Sequence, residues 1–489
     1  MLNIKELWRN PLTKKEKKAN KELFLLLKVG AEANKKKKRS PVNIAFVIDR
    51  STSMLDSMDK NSQKRLYDQW IKELNEKKND PKKIFQDQLD KQWGYPGTGT
   101  PFGPYYDNGT GNAPDSIHRM GNIISGHDKS KVMDVLQNIV DMPKVNFLNK
   151  LDMVKEATIR AIELLDENDK VSIIAFGSHV SVLCKGELVK NKEKLIGYVK
   201  SISCEGMTNL FDGWWQGAHC VAESMEEGYL NRVVLLTDGQ ANMGKININE
   251  IAVEIEKISA AGISTTTFGV GSDYNEDLLQ KIAEKGEGNY YYIKGDNDFS
   301  ELFIEEFNDI NNIFAKKAKI KIITDMEYEI LNSAEKGNNE YSFNNIIYNK
   351  EKSVLIKIKL SENNEKIIKI NVSYEKEGIV HSIEKDIIIP IVSKKDFYTN
   401  QEVLDQIALL KIADEKREAI KALDRGDIQL AKSMLLNATA GMSGVSEKLM
   451  AESNASLTNL QNQLDAGDLK GLRKMAKYES YNTSNSKYK

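Results

Sequence analysis

Between residues 42 and 315, short apolar runs alternate with stretches in which apolar positions recur every three or four residues. Residues 42–48 (VNIAFVI) are almost wholly apolar, as expected of a central parallel strand covered on both faces. After a long interruption, Leu151, Val154, Ala157, Ile162 and Leu165 fall on or near one face of a helix. The alternation then predicts strand 171–176, an antiparallel edge strand at 179–184, helix 191–202, a loop and helix at Thr208, and strand 232–237. Helix 249–261, strand 263–269, helix 275–285, strand 289–293 and a closing helix at 298–314 follow. Strands alternating with helices imply an α/β fold, a doubly wound and mainly parallel sheet with right-handed crossovers.

The rhythm changes twice more. From Lys316 to residue 394 the apolar positions alternate with no helical stretch between them, which predicts a β-sandwich. Residues 395–489 return to a helical period, with a turn at Asp424–Asp427 and a further amphipathic segment from Ser446, a helical hairpin array. The Arg425-Gly426-Asp427 tripeptide sits where a helix–helix turn needs Gly and Asp, so it reads as that turn. Residues 1–20 are polar and lysine-rich, an arm before the α/β domain expected at 21–315. Residues 23–29 read as an edge strand, joined to the central one by the lysine loop at 35–39. The interruption at 55–149, on the order of 90 residues, far exceeds an ordinary strand-to-helix loop. Residues 62–74, 84–93 and 131–140 within it read as helical, and 93–114 is a Gly, Pro and aromatic stretch.

The candidate chemistry lies where strands end. Asp49, Ser51 and Ser53 follow the central strand directly, Thr208 lies in a loop after a helix, and Asp238 ends a second apolar strand, RVVLLTD. These are hard oxygen donors suited to Mg²⁺, and open α/β sheets bind ligands at the carboxyl edge of their strands. An Asp-x-Ser-x-Ser run by itself is more often a turn or a helix cap. Three such motifs in this order, each in its strand context, resemble the von Willebrand factor A domain and its metal-ion-dependent adhesion site. VSIIAFG at 171–177 and the segment from Ile263 to Ile293 carry the resemblance further. It assigns metal roles to Asp49, Ser51, Ser53, Thr208 and Asp238. Thr52 stands where many relatives have Gly, at a position that supplies no ligand.

The resemblance implies a Mg²⁺ ion, with Mn²⁺ or Ca²⁺ as alternatives, whose shell is completed by an Asp or Glu of a partner protein. The implied function is a metal-dependent protein-binding scaffold or adaptor and not an enzyme, with an AAA+ ATPase or another multiprotein assembly as partner. The layout is also similar to bacterial proteins labelled calcium-activated chloride channel homologues, although no segment here reads as membrane-spanning. Two alternatives stay open: a homo-oligomer joined through the metal site, and metal-assisted hydrolysis. The second needs a base, and His179 and His219 stand isolated in the sequence.

Composition narrows the setting. The chain has 489 residues and a formal net charge of −1, which gives no general drive toward nucleic acid or anionic membrane. The apolar core at residues 23–27 is too short for a signal-peptide segment, which favours the cytoplasm. Cys184, Cys204 and Cys220 form no CxxC pair and read as idle thiols. Leaving the sheet after Ser53, the insertion is expected to start on the metal-bearing edge. It either offers a partner Trp93, Tyr95, Phe102, Tyr105 and Tyr106, or covers the metal with a carboxylate such as Asp107 or Asp115, or is a disordered tip. Of the Trp214–Trp215 pair, at least one ring is expected in the core.

Overall fold

The structure is a computed structural model and describes residues 2–13, 21–32, 40–56, 149–271, 273–294, 296–332, 339–360, 367–440 and 444–485. The expected insertion and its candidate residues lie outside these, apart from residues 55, 56 and 149. The chain divides into two compact units, residues 1–54 with 153–489 and residues 55–152. Of the second unit little is described: Lys150 N donates to Asp56 O (3.1 Å), and Asn149 Oδ1 accepts from Asp152 N (2.8 Å) at the start of helix α1, Lys150–Leu164.

The first unit opens with β1 (Leu2–Trp8), β2 (Leu12–Thr13) and β3 (Lys21–Ala31). The α/β domain follows. It comprises β4 (Val42–Asp49), β5 (Lys170–Phe176), β6 (Val180–Leu188), α2 (Lys192–Lys200), α3 (Leu210–Glu223), β7 (Leu230–Thr237) and α4 (Ile248–Ala260). β8 (Ile263–Val270), α5 (Glu276–Lys285), β9 (Glu287–Ile293) and α6 (Asp296–Asn311) complete it. The strand order is β6-β5-β4-β7-β8-β9, parallel except for the edge strand β6. Every residue of β4 is buried, because helices cover both faces of the sheet. On one face Ala45, Val47, Ile174 and Phe176 share a core with Leu210, Trp214 and Ala218 of α3. On the other, Phe46 stacks on Phe303 and Phe307 of α6, at 6.2 and 6.1 Å between ring centroids.

The chain then forms β10 (Ile313–Ile323), β11 (Glu327–Ile330), β12 (Glu340–Ile347), β13 (Lys352–Leu360), β14 (Ile367–Lys376), β15 (Ile379–Ile388) and β16 (Ile391–Val392). Two four-stranded sheets, β1-β3-β13-β11 and β12-β10-β14-β15, enclose a single apolar core. The N-terminal segments therefore belong to the sandwich, which corrects two expectations. Residues 2–8 are no arm: Leu2 and Trp8 are buried, and β1 pairs antiparallel with β3. Nor does β3 flank the α/β sheet; it lies between β1 and β13. Its unbroken apolar run has another cause. Leu23, Leu25, Leu27 and Val29 face the sandwich core, while Leu26 and Phe24 pack with Val403, Ile407 and Leu410 of a C-terminal helix. The α/β domain is thus inserted between two neighbouring parts of the sandwich.

That C-terminal helix is α7 (Gln401–Asp424), followed by α8 (Ile428–Ala440), α9 (Glu447–Asp465) and α10 (Leu469–Ser484). The Arg-Gly-Asp tripeptide makes the α7–α8 turn: Gly426 has φ 79°, and Asp427 N closes on Ala422 O (2.9 Å). The last helix ties the parts together. Its Tyr481 ring meets Tyr290 of β9 edge-on, and Ser484 O accepts from Tyr341 Oη (2.7 Å) and Asn332 Nδ2 (3.1 Å) of the sandwich. Ser480 Oγ reaches Ala413 O of α7 (3.2 Å). At its start, Lys474 is 4% exposed and holds Glu276 Oε2 at 2.6 Å, with Arg473 on the other oxygen of that carboxylate. Cutting one partner from such a buried cluster strands the other charge. Glu276→Ala is expected to cost about 3 kcal/mol, read as a lower urea midpoint; a loss below about 1 kcal/mol would mean the cluster contributes no more than a surface pair.

Candidate metal centre

β4 and β7 lie side by side in parallel, with Ile48 opposite Leu236, so both chains leave the sheet at the same edge. Asp49 is the last residue of β4, and Asp238 follows the last residue of β7. Both are fully buried. Asp49 Oδ1 accepts from Ser51 N (2.8 Å), an Asx turn that bends the chain into a short 3₁₀ helix, Thr52–Leu55. The bend brings Ser51 Oγ and Ser53 Oγ within 3.1 Å of one another, and Ser53 Oγ donates to Asp238 Oδ1 (2.8 Å). Thr52 points elsewhere, its Oγ1 on Gly206 O (3.1 Å).

Thr208 enters from a third loop. A Cβ built on Gly239 would lie 2.9 Å from Thr208 Oγ1 and 3.5 Å from Asp49 Oδ2. The missing side chain therefore leaves the space in which the Thr208 hydroxyl, the Asp49 carboxylate and the Asp238 backbone converge. All five expected residues are brought together: two carboxylates and three hydroxyls, with Asp49, Ser51, Thr208 and Asp238 buried. Among the described residues, no three His, Cys, Asp or Glu side chains gather into a possible metal cluster. The donors here are hard oxygens, the set that fits Mg²⁺, Mn²⁺ or Ca²⁺ and not a thiolate- or imidazole-bound ion.

The loops are stitched to one another. Glu205 N donates to Arg50 O (2.6 Å) and Thr52 N to Gly206 O (3.1 Å), while Asn209 N donates to Gly177 O (3.0 Å). Asn242 holds Thr208 from both sides: its Oδ1 accepts from Thr208 N (2.9 Å), and its own N donates to Thr208 O (3.3 Å). Thr237 Oγ1 donates to Asp49 Oδ2, and its burial in β7 leaves that hydroxyl facing the site. Sequence reasoning missed Asn242 and Thr237. The available signals were a hydroxyl at the end of an otherwise apolar strand and an Asn four residues beyond Asp238. His179 and His219, the candidate bases, are engaged elsewhere: His179 Nδ1 lies 2.9 Å from Glu205, and His219 lies 3.1 Å from Glu223 within α3. The Glu205 carboxyl is held low by that histidine and by Arg50. Cys184 and Cys220 are buried free thiols, and burial pushes both up.

Electrostatically the site is unbalanced. Burial, and then the neighbouring Asp238, push Asp49 up to about 7, and the Ser51 and Thr237 hydrogen bonds offset this only in part. The sign of the consequence follows from proton linkage. A carboxyl raised from about 4 to about 7 binds more protons in the folded state, so metal-free protein loses stability as pH rises across that interval. The expected outcome is a melting temperature of EDTA-treated protein that falls between pH 5 and pH 8, with a smaller fall in Asp49→Asn. Equal slopes in the two proteins would remove Asp49 as the source.

Residues 141–308 match the family model of the von Willebrand factor type A domain. The match begins in the last residues of the expected insertion and takes in Thr208 and Asp238, while Asp49, Ser51 and Ser53 reach them through the fold. Protein YfbK of Escherichia coli is 26% identical over 174 residues, which are 35% of this chain and 30% of YfbK. Human inter-alpha-trypsin inhibitor heavy chain H3 is 30% identical over 167 residues, 32% of this chain and 18% of that protein. The chain thus spans less than a third of the length of either relative. A solved von Willebrand factor type A protein from Catenulispora acidiphila aligns over 98% of this chain and 96% of its own, with TM-score 0.60 and 14% identity. The likeness therefore extends in fold through the sandwich and the C-terminal helices.

Proposed function

Because residues 141–308 form a von Willebrand factor type A domain, we propose that the chain is a metal-ion-dependent protein-binding scaffold. Domains of this family commonly mediate metal-dependent protein interaction. The observation that carries the reading is the gathering of Asp49, Ser51, Ser53 and Asp238 in one chain of hydrogen bonds, with the Thr208 hydroxyl meeting the Asp49 carboxylate over Gly239. Two carboxylates buried together favour a cation between them, and Ser51, Ser53 and Thr208 would hold it, with Asp49 and Asp238 behind. Mg²⁺ takes six oxygens in a near-octahedral shell, so the three hydroxyls leave positions open for water and for a ligand from outside the chain. An Asp or Glu of a partner protein supplies it in this reading, and the ion joins two proteins.

Binding and not turnover is the proposed role, since His179 and His219 are paired with other residues and neither lies among the hydrogen bonds of the site. No helix among the described residues is long and apolar enough to cross a membrane. The partner is accordingly sought among proteins.

Calorimetric titration with MgCl₂, MnCl₂ and CaCl₂ tests the site. Wild type is expected to bind one ion per chain, and Thr208→Ala and Asp238→Ala to bind at least about tenfold more weakly while keeping their circular dichroism. Unchanged affinity in both variants would exclude these residues as ligands. Affinity capture from native extract, with Mg²⁺ and with EDTA, tests the role. A protein retained by wild type with Mg²⁺ and lost with EDTA or Asp49→Ala is expected, whereas identical retention in all conditions would move function away from the metal.

A further inference from the structure

Next to the metal centre, the surface carries a band of apolar side chains whose content is not required by the metal. Thr208 is followed by Asn209, the N-cap of α3, whose first turn presents Phe211 and whose second presents Trp215. Trp214 is fully buried and donates its Nε1 hydrogen to Thr265 Oγ1 (3.1 Å), whereas Trp215 is 42% exposed and stacks on Phe211 at 6.2 Å. The loop after Asp238 lies against the first turn. A Cβ on Gly244 would come within 2.5 Å of Asn209 Oδ1, and Lys245 Nζ sits 4.4 Å from the centre of the Phe211 ring. Met243 is exposed beside it, next to Asn242, which grips Thr208; Met207 is exposed on the other side of Thr208.

Three properties make this band unlike an ordinary stretch of surface. It is continuous with the metal centre, since each step from Thr208 to Trp215 is a chain neighbour or a ring contact. Its one cation, Lys245, has no ion-pair partner among the described residues and rests on an aromatic face. Asn209 Oδ1, in a residue 6% exposed, has no hydrogen-bond partner, although its Nδ2 is satisfied by Asp212 (2.7 Å). A buried acceptor left unmade is costly, and this one is closed in by the backbone at Gly244, between the metal loop and the apolar band.

Resting on the metal-dependent reading above, we infer that the partner is an acidic segment of another protein that carries an aromatic or branched aliphatic side chain close to its metal-binding carboxylate. Its Asp or Glu meets the metal, and its apolar side chain packs on Phe211 and Trp215 with Met243 at the rim. A second acidic group is matched to Lys245. Spacing follows from helix geometry. Trp215 lies five residues beyond the start of α3, so the band extends roughly 8 to 12 Å from Thr208 at 1.5 Å per residue plus side chains. An extended peptide covers that in about three or four residues at roughly 3.3 Å each. The charge pattern opposes nucleic acid, which needs several cations along a phosphate backbone where this band offers one.

Selection of a displayed random dodecapeptide library on the full chain in Mg²⁺, with elution by EDTA, tests the inference. Peptides with Asp or Glu and an aromatic or aliphatic residue three or four positions away are expected to be enriched at least tenfold over the input. Selection on Trp215→Ser and, separately, on Lys245→Glu is expected to keep the acidic residue, with the apolar preference lost in the first and acidic neighbours lost in the second. Both side chains are solvent-facing, and melting curves check that each variant folds. Enriched peptides that carry the acid with no apolar preference, pools unchanged by both variants, or no enrichment at all would overturn the inference. Failure of the metal reading looks different: peptides that EDTA does not elute, that are retained by Asp238→Ala, and that lack the acid but still depend on Trp215.

Discussion

Two carboxylates fully buried side by side are the constraint on which the rest of this molecule turns. Parallel pairing of β4 with β7 places Asp49 and Asp238 at adjacent strand ends, and neither strand can slip, because each is packed on both faces of the sheet. Burial penalises the charged form of Asp49, and the poorly screened repulsion of Asp238 adds to it, so that Asp49 is pushed up to about 7. The Ser53 and Thr237 hydroxyls and the Ser51 backbone N–H relieve part of that repulsion by donating to the carboxylates. They leave the pair short of positive charge, and a divalent cation is the simplest supply.

Holding this arrangement requires rigid loops, and the architecture provides them from outside the α/β domain. The sandwich is built from both ends of the inserted domain, with β3 paired to β13 across more than three hundred residues of chain. The last helix then returns to the metal-bearing edge. Gln240, two residues beyond Asp238, donates to Asp273 O (3.4 Å), and the Asp273 side chain pairs with Lys470 of α10 (3.2 Å). Glu276, close behind, is clasped by Arg473 and Lys474. The C-terminal helix is therefore two contacts away from the loop that carries Asp238, and it also holds the sandwich through Ser484.

Much of this was legible from periodicity. The α/β sheet, its antiparallel edge and the helices after Thr208 follow directly from apolar runs and helical spacing, because each strand is buried in a way that a single run of residues records. The Asp49, Ser51, Ser53, Thr208 and Asp238 set was legible because polar residues at the ends of apolar strands are conspicuous. What misled was β3. A strand covered by a core on one face and by α7 on the other has the same apolar profile as a parallel strand between two layers of helices, and only the pairing partner distinguishes them. β1 was missed for the opposite reason: its Asn3, Lys5 and Glu6 point outward and hide the buried Leu2 and Trp8. Asn242 and Thr237 were not singled out because their roles depend on loops that meet only in space.

The central claim is that a divalent ion sits where the ends of β4 and β7 meet. The most direct measurement is anomalous diffraction at the manganese edge from crystals of the full chain grown with MnCl₂. The account predicts one peak per chain, roughly 2 Å from the hydroxyl oxygens of Ser51, Ser53 and Thr208, with the direct Ser53-to-Asp238 hydrogen bond rearranged around it. Absence of a peak there, with the serine hydroxyls still bonded to one another and to Asp238, would contradict it.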